Sequence, residues 1–174
     1  MIRVAILTVS DRAARGEAED LSGPAIAQIV QEQLQANITQ RQIVADEQAL
    51  IEMALVAWAD SGGVDLILTT GGTGFAPRDV TPEATQAVID RSAPGIAEAM
   101  RAASLQVTPH AMLSRAAAGM RGRTLIVNLP GSPKAVRENL AVILPVLPHA
   151  VELLQQGAQP VTYQHALPGE HGAT

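Results

Sequence analysis

The chain of 174 residues contains no cysteine, and aromatic residues make up only 2% of it. Without cysteine, the protein forms no disulfide and has no thiol for zinc binding or for nucleophilic catalysis. With one Trp, one Tyr and one Phe, its core must be built from aliphatic side chains. Proteins that bind nucleic acid usually carry an excess of basic residues and stacking aromatics. The formal net charge is −5, so nucleic acid is not an expected partner.

Long apolar segments are also missing. No hydrophobic run reaches the roughly 18 residues that a membrane-spanning helix needs. The N-terminal stretch MIRVAILTVSD has no basic region followed by a long apolar one, and it reads as a strand rather than as a signal peptide. We therefore expect a cytoplasmic protein with no membrane partner.

The hydrophobic residues that are present, 47% of the chain, follow two alternating patterns. Segments with apolar residues at helical spacing separate short Val/Ile/Leu runs, which are typical of strands buried on both faces. Those runs are Arg3–Val9, Ile43–Ala45, Asp65–Thr69 and Thr124–Leu129. The alternation predicts a three-layer α/β/α fold with a central, mostly parallel sheet. We further expect Leu113–Met120 to pair with the last strand as an antiparallel edge hairpin.

Length and composition favour a single domain, because the chain is long enough to bury one core of its own. We place this domain at residues 1–156. Residues 157–174 show no periodicity, and we predict a tail that wraps the surface or frays.

Three expected helices begin with a hydroxyl residue close before proline, a pattern that caps the first turn. These starts are Ser22-Gly-Pro24, Thr81-Pro82 and Ser132-Pro133. In open α/β sheets, ligands bind at the carboxyl ends of the strands. The loops that begin at Ser10, Asp46, Thr70 and Pro130 should therefore converge on one crevice.

The stretch TTGGTGFAPRD, from Thr69 to Asp79, is the densest glycine motif in the chain. Gly71, Gly72 and Gly74 permit positive φ angles and a close approach to the backbone, and successive N–H groups form a nest for anions. The helix expected after Thr81 adds its positive end, so phosphate is the expected ligand. No Gly-Lys-Ser/Thr follows, which excludes a Walker A loop. A tight turn without ligand is the alternative.

Two carboxylates accompany this loop. Asp46 ends a strand, and Asp79 stands just before the helix start at Thr81. Both are expected at the carboxyl end of the sheet, where hard oxygen ligands beside phosphates suit a Mg²⁺–nucleotide site. Capping of the following helix is the alternative role of each carboxylate, and for Asp79 support of the helix dipole is a further alternative.

A second anion-binding candidate is NLPGSPK, from Asn128 to Lys134. Gly131 and Ser132 open a helix, and Lys134 adds a positive charge. A capped helix start with a solvated lysine is the alternative. Asn128 is expected either to hydrogen-bond a heterocycle or to satisfy backbone groups.

No histidine-based site is indicated. The four histidines lack the context of a nucleophile elbow or a catalytic triad, and no histidine-based metal spacing occurs. From the residues alone, the chain reads as an enzyme that handles a nucleotide and a second phosphorylated molecule.

The motifs also resemble a known family. SDRAARGEAEDLSGPA, VADE, TTGGTGFAPRDVTPEAT, PGIAEAMR, MLSRAAAG and NLPGSPKAV stand in the order found in molybdopterin adenylyltransferases of the molybdenum-cofactor biosynthesis domain family. The resemblance extends to about Gln156. It implies that ATP and molybdopterin become adenylyl-molybdopterin and pyrophosphate with Mg²⁺. It also implies a homotrimer and a possible hand-over to a molybdenum insertion protein.

Position by position, the resemblance assigns roles to single residues. Asp46 and Asp79 match its functional aspartates, the second being associated with turnover, and both are candidate metal ligands. The residues that it assigns to ATP are Gly71, Gly72, Thr73 and Gly74, and we add Ser10 and Asp11 from the loop after the first strand. It associates Ser114 and Asn128 with molybdopterin, and we add Pro130, Gly131, Ser132 and Lys134 from the second anion-binding candidate.

Four points stay open at this level. A molybdopterin carrier without adenylation, and a nucleotide pyrophosphatase, would present similar motifs. Phe75 is expected either to anchor the loop 71–79 or to act as a lid, and Arg78 to hold this loop by pairing rather than to bind substrate.

Overall fold

The computed structural model describes residues 1–156, and the predicted tail, 157–174, lies outside the described residues. The strands are β1 Arg3–Val9, β2 Asn37–Val44, β3 Leu66–Thr70, β4 Arg91–Ser92, β5 Ala118–Arg121 and β6 Thr124–Leu129. The helices are α1 Asp11–Ala14, α2 Ser22–Leu34, α3 Gln48–Asp60, α4 Thr81–Val88, α5 Pro94–Leu105, α6 Pro133–Ile143 and α7 Leu147–Gln155. A 3₁₀ helix spans Pro109–Leu113. None of the helices in this part of the chain is long and apolar enough to cross a membrane.

The six strands form one sheet in the order β2-β1-β3-β6-β5-β4. Strands β2, β1, β3 and β6 are parallel, whereas β5 runs antiparallel to β6 and β4 runs antiparallel to β5. The predicted α/β class and the antiparallel pairing are confirmed.

Three details of the sheet differ from the prediction. Strand β2 begins at Asn37 rather than Ile43. Its sequence NITQRQIV is largely polar because this edge strand faces solvent, so it lacks the apolar run that predicts a buried strand. Leu113 belongs to the 3₁₀ helix, so the antiparallel strand begins only at Ala118. This strand is not the edge, because the two-residue β4 lies outside it.

Alternate residues of the strands serve two separate hydrophobic clusters. In β1, Val4 and Ile6 pack with α2, α5, α6 and α7, whereas Ala5 and Leu7 face α3 and α4. This period of two follows from the pleat of a strand. Helices therefore cover both faces of the sheet, and the three-layer prediction is confirmed.

The expected hydroxyl caps are correct in one case of three. Ser132 accepts a hydrogen bond from the N–H of Ala135 at 3.2 Å, as an N-cap does. Ser22 and Thr81 are already helical, and each donates its hydroxyl to a carbonyl of a neighbouring loop instead. At α2 the capping acceptor is Asp20, whose Oδ1 lies 2.9 Å from the N–H of Gly23.

Candidate active site

The loops that follow β1, β2, β3 and β6 converge at the carboxyl end of the sheet, as the strand order predicts. The N–H of Ser10 donates to Val44 O at 2.9 Å, which joins the first two loops. The N–H of Gly71 donates to Leu129 O at 3.3 Å, and the hydroxyl of Thr70 donates to Pro130 O at 2.7 Å. These bonds bring four sequence-distant segments into one crevice.

The first two glycines of the loop after β3 are required by its geometry. Gly71 has a φ of 96°, and a Cβ on it would collide with the carbonyl oxygen of Val9. Gly72 has a φ of 64°, and a Cβ there would collide with the hydroxyl of Thr81. Only glycine adopts these angles without strain and admits so close an approach. We call residues 71–79 the glycine loop.

Thr81, at the start of α4, holds the backbone of Gly71 and Gly72 in this geometry. Its side chain is fully buried, and its hydroxyl donates to Gly71 O at 2.9 Å. Its N–H donates to Gly72 O at 3.1 Å. With these two carbonyls held by the start of α4, the peptide groups of the glycine loop have a defined orientation.

Asp46 and Asp11 form a reciprocal pair. Asp46 Oδ2 accepts from the N–H of Asp11 at 2.7 Å, and Asp11 Oδ1 accepts from the N–H of Asp46 at 3.0 Å. Burial raises the pKa of Asp46, and the negative charges of Asp11 and Asp79 add to this rise. Three neighbouring carboxylates repel one another when they are ionised. A bound cation would relieve this repulsion, so the arrangement is typical of a cation-binding site.

The capping alternatives for both aspartates are wrong. Glu47 precedes α3 and Val80 precedes α4, and neither helix has a side-chain cap. Asp79 instead accepts a hydrogen bond from the N–H of Ala76 at 2.9 Å, so its carboxylate closes the glycine loop on itself. Both acidic groups thus lie in the crevice for reasons other than helix capping.

Arg78 pairs as predicted. Its guanidinium contacts both carboxylate oxygens of Asp11, with Nη2 at 2.9 Å from Oδ1. The hydrogen bond from Arg78 lowers the pKa of Asp11. Phe75 is 67% exposed. An exposed ring does not anchor the loop, so that expectation is wrong, and the lid remains a prediction.

The donor set fits a magnesium ion that is held partly by phosphates. Asp46 Oδ1 and Asp79 Oδ1 accept no hydrogen bond from residues 1–156, which leaves one oxygen of each carboxylate available. Within the same residues, no group of three or more His, Cys, Asp or Glu side chains is arranged around a metal. Mg²⁺ is commonly bound by one or two carboxylates together with substrate phosphates and water.

Two cavities adjoin the glycine loop. The larger, of about 280 Å³, is lined by Thr73 and Gly74 together with Ser114 and Pro130. The smaller, of about 250 Å³, contacts Gly71 and lies beside α1 and α2. The polar and glycine residues that line the smaller cavity include Ser10, Asp20, Ser22 and Gly131. The loops after β3 and β6 therefore contribute to both cavities.

Asn128 does not reach this crevice. Its side chain is fully buried, and its Nδ2 donates to the hydroxyls of Thr69 and Thr85 at 3.0 and 2.8 Å. Its Oδ1 accepts from the N–H of Ala117 at 3.1 Å. Because these three bonds occupy the amide, the structure offers no direct contact with a heterocycle and shows Asn128 supporting the strand ends instead.

Lys134 also lies apart from the two cavities. Its side chain is 80% exposed, and its ammonium group is 3.9 Å from Glu138 one turn later on α6. Its contact with phosphate stays a prediction. Ser132 is occupied in capping α6.

Sequence reasoning assigned no role in the site to Arg115, and the structure places it against the glycine loop. Its side chain donates to Gly74 O at 2.7 Å and pairs with Glu83 on α4. Its position beside Ser114 in MLSRA could have marked Arg115 as a site residue. No spacing rule, however, predicts a contact between residues 115 and 74.

Comparison with known proteins agrees with this geometry. Residues 5–149 match the family model described as "Probable molybdopterin binding domain". A molybdopterin adenylyltransferase of Helicobacter pylori strain J99 is 47% identical over 154 residues, which cover 88% of each chain. The molybdopterin adenylyltransferase of Escherichia coli K12 is 44% identical, over 80% of this chain and 72% of its own length.

A solved structure is similar as well. The molybdopterin biosynthesis enzyme MoaB from Thermus thermophilus shares 53% identity and superposes with a TM-score of 0.84. The match covers 90% of this chain and 98% of that protein.

Proposed function

The chain belongs to the family of molybdopterin-binding domains whose model it matches, and from that premise we propose that it is a molybdopterin adenylyltransferase. The reaction converts ATP and molybdopterin into adenylyl-molybdopterin and pyrophosphate. The names of the relatives from H. pylori and E. coli support this activity.

One observation carries the proposal. The glycine loop borders two cavities, at Thr73 and Gly74 on one side and at Gly71 on the other. Each cavity lies just below the range of about 300–1,000 Å³ that is typical of small-molecule pockets. A reaction that joins two phosphorylated substrates needs two such spaces with a shared phosphate site between them.

The reaction needs no strong base. A terminal phosphate oxygen of molybdopterin attacks the α-phosphorus of ATP, a new P–O bond forms, and the bond from the α-phosphorus to the bridging oxygen breaks. Pyrophosphate leaves with that bond's electron pair. Since the attacking phosphate is already ionised, the work of the protein is positioning and charge stabilisation.

The residues divide this work. Peptide N–H groups of residues 72–74, in the loop that Thr81 orients, would stabilise negative charge on the transferred group. Asp46 and Asp79 would hold Mg²⁺, which supplies neutralisation of phosphate charge when it is bound. Ser10 and Asp11 belong to the ATP side of the proposal. Ser114 and Pro130, which line the larger cavity with Thr73 and Gly74, belong to the molybdopterin side.

Assembly and location complete the proposal. By analogy with the family we propose a homotrimer that acts in the cytoplasm and hands its product to a molybdenum insertion protein. Sedimentation equilibrium of the purified chain tests the trimer, and a monomer at micromolar concentration would contradict it.

The deciding experiment is release of pyrophosphate. The purified protein is incubated with molybdopterin, ATP and Mg²⁺, and parallel samples omit one component each. We expect pyrophosphate only in the complete mixture. Tight binding of molybdopterin without pyrophosphate would identify a carrier, and release of phosphate or pyrophosphate without molybdopterin would identify a nucleotide hydrolase. Either result overturns the proposal.

A further inference from the structure

Arg115 contacts the glycine loop at three of its peptide groups. Its own N–H donates to Thr73 O at 2.9 Å, and its Nε donates to Gly74 O at 2.7 Å. Its Nη2 donates to Asp79 O at 2.5 Å. A single residue therefore holds both ends of the segment from Thr73 to Asp79, and between them lie four exposed residues, 75–78.

The guanidinium of Arg115 is itself anchored. Nη1 and Nη2 bind the carboxylate of Glu83 in the first turn of α4, and this hydrogen bonding lowers the pKa of Glu83. Every nitrogen of the guanidinium thus has a partner within the protein. An arginine bound in this way orients neighbouring groups and is not arranged to bind a phosphate itself.

The residues on either side of Arg115 line the larger cavity. Ser114, the residue before Arg115, lines that cavity together with Gly74. On the other side, Arg101 of α5 donates to Ala116 O at 2.9 Å. A molecule that fills the cavity would therefore contact residues 114–116. Because Arg115 is hydrogen-bonded to the glycine loop, a shift of these residues would also shift the loop.

We propose that Arg115 is a positioning residue for adenylyl transfer, an inference that rests on the function proposed above. It aligns Asp79 and the peptide groups of Thr73 and Gly74 with the reacting phosphates, and it couples them to occupancy of the larger cavity. A lysine cannot replace it, since one ammonium group does not span three acceptors in the geometry of a planar fork.

The first test compares two conservative variants. Arg115→Lys should lower kcat by about 10- to 100-fold and change KM for ATP by less than about threefold, because misalignment affects the transition state more than binding. Arg121→Lys is the matched control. Arg121 also bridges a carboxylate and a carbonyl, Asp60 and Val88 O, but it lies outside both cavities. Its kcat should stay within about twofold of wild type.

The second test is a double-mutant cycle with Asp79→Ala. If Arg115 acts through Asp79, Arg115→Lys should lower kcat by less than about threefold in that background. Glu83→Gln, which removes the charge but keeps the shape, should cause a smaller loss with the same dependence on Asp79. Fully additive losses would show a general structural role and would overturn the proposal, while pyrophosphate release by the wild type would still support the enzyme.

The third test does not depend on catalysis. The N–H of Ala76 donates to the carboxylate of Asp79, so its hydrogen exchange reports closure of the loop. In Arg115→Lys, but not in Arg121→Lys, this amide should exchange at least about tenfold faster. Unchanged exchange would overturn the inference even if the wild-type chain released no pyrophosphate.

Discussion

The loops after β3 and β6 have similar compositions, but different contacts hold them in shape. In the glycine loop, Gly71 packs against Val9, and the loop is bonded to Thr81 and Arg115. In the loop after β6, the carbonyls of Pro130 and Gly131 accept hydrogen bonds from the hydroxyls of Thr70 and Ser22. The chain then continues into α6, whose start is capped locally by Ser132. Tertiary contacts therefore orient the peptide groups expected to face phosphate, whereas local capping suffices to start a helix.

The largest expected difference between the loops concerns their glycines. Gly71→Ala should lower the free energy of unfolding by about 2–4 kcal/mol, because the new Cβ meets Val9 O and the φ of 96° is strained. Gly131→Ala should cost less than about 1 kcal/mol, since its Cβ would meet only the backbone of Gly71, with the Cα at 3.4 Å. Urea denaturation measures both, and equal losses would remove the distinction.

The charged residues of the two loops should differ in turnover. Asp79→Ala should lower kcat by about 10²-fold, a loss comparable with removal of one electrostatic group from an active site, while molybdopterin still binds. Lys134→Ala should change kcat by less than about threefold, because its side chain is 80% exposed outside both cavities. Steady-state pyrophosphate release is the measurement. Equal loss of molybdopterin binding and turnover in Asp79→Ala would contradict the assigned role.

The hydroxyls at the two helix starts make a smaller contrast. Thr81→Val leaves Gly71 O without its buried donor and should cost about 1–3 kcal/mol, with a fall in turnover. Ser132→Ala removes an N-cap and should cost about 1 kcal/mol with turnover unchanged. Thermal unfolding and turnover are measured on the same samples. A larger loss of turnover in Ser132→Ala would reverse the comparison.

The smallest effect should depend on pH. The pKa of Asp46 is raised in the folded protein, so stability falls as the pH rises from the ordinary pKa of Asp through the raised one. Asp46→Asn, which has no charge to bury, should therefore melt at a slightly higher temperature than wild type at pH 7. The difference should vanish below about pH 3, well under the ordinary pKa of Asp, because the carboxyl is then mostly protonated in both states. A lower melting temperature at pH 7 would show that the charge is stabilising.

Much of the fold could be predicted from sequence because it depends on local periodicity. The buried runs of β1, β3 and β6 are continuous and apolar, and the helices between them carry apolar residues at helical spacing. Strand β2 was largely missed, since polar residues facing solvent leave no hydrophobic signal. The glycine loop and both aspartates were found from residue type and from their position after strands.

The α/β class, the crevice at the carboxyl end of the sheet and the family could all be predicted from the sequence. These depend on hydrophobic period and on contiguous motifs. Three features became visible only in the folded chain: Asn128 is buried below the crevice, Phe75 is exposed, and Arg115 holds the glycine loop. Each of these features depends on hydrogen bonding and burial between segments far apart in the chain, and no local pattern of residues encodes such contacts.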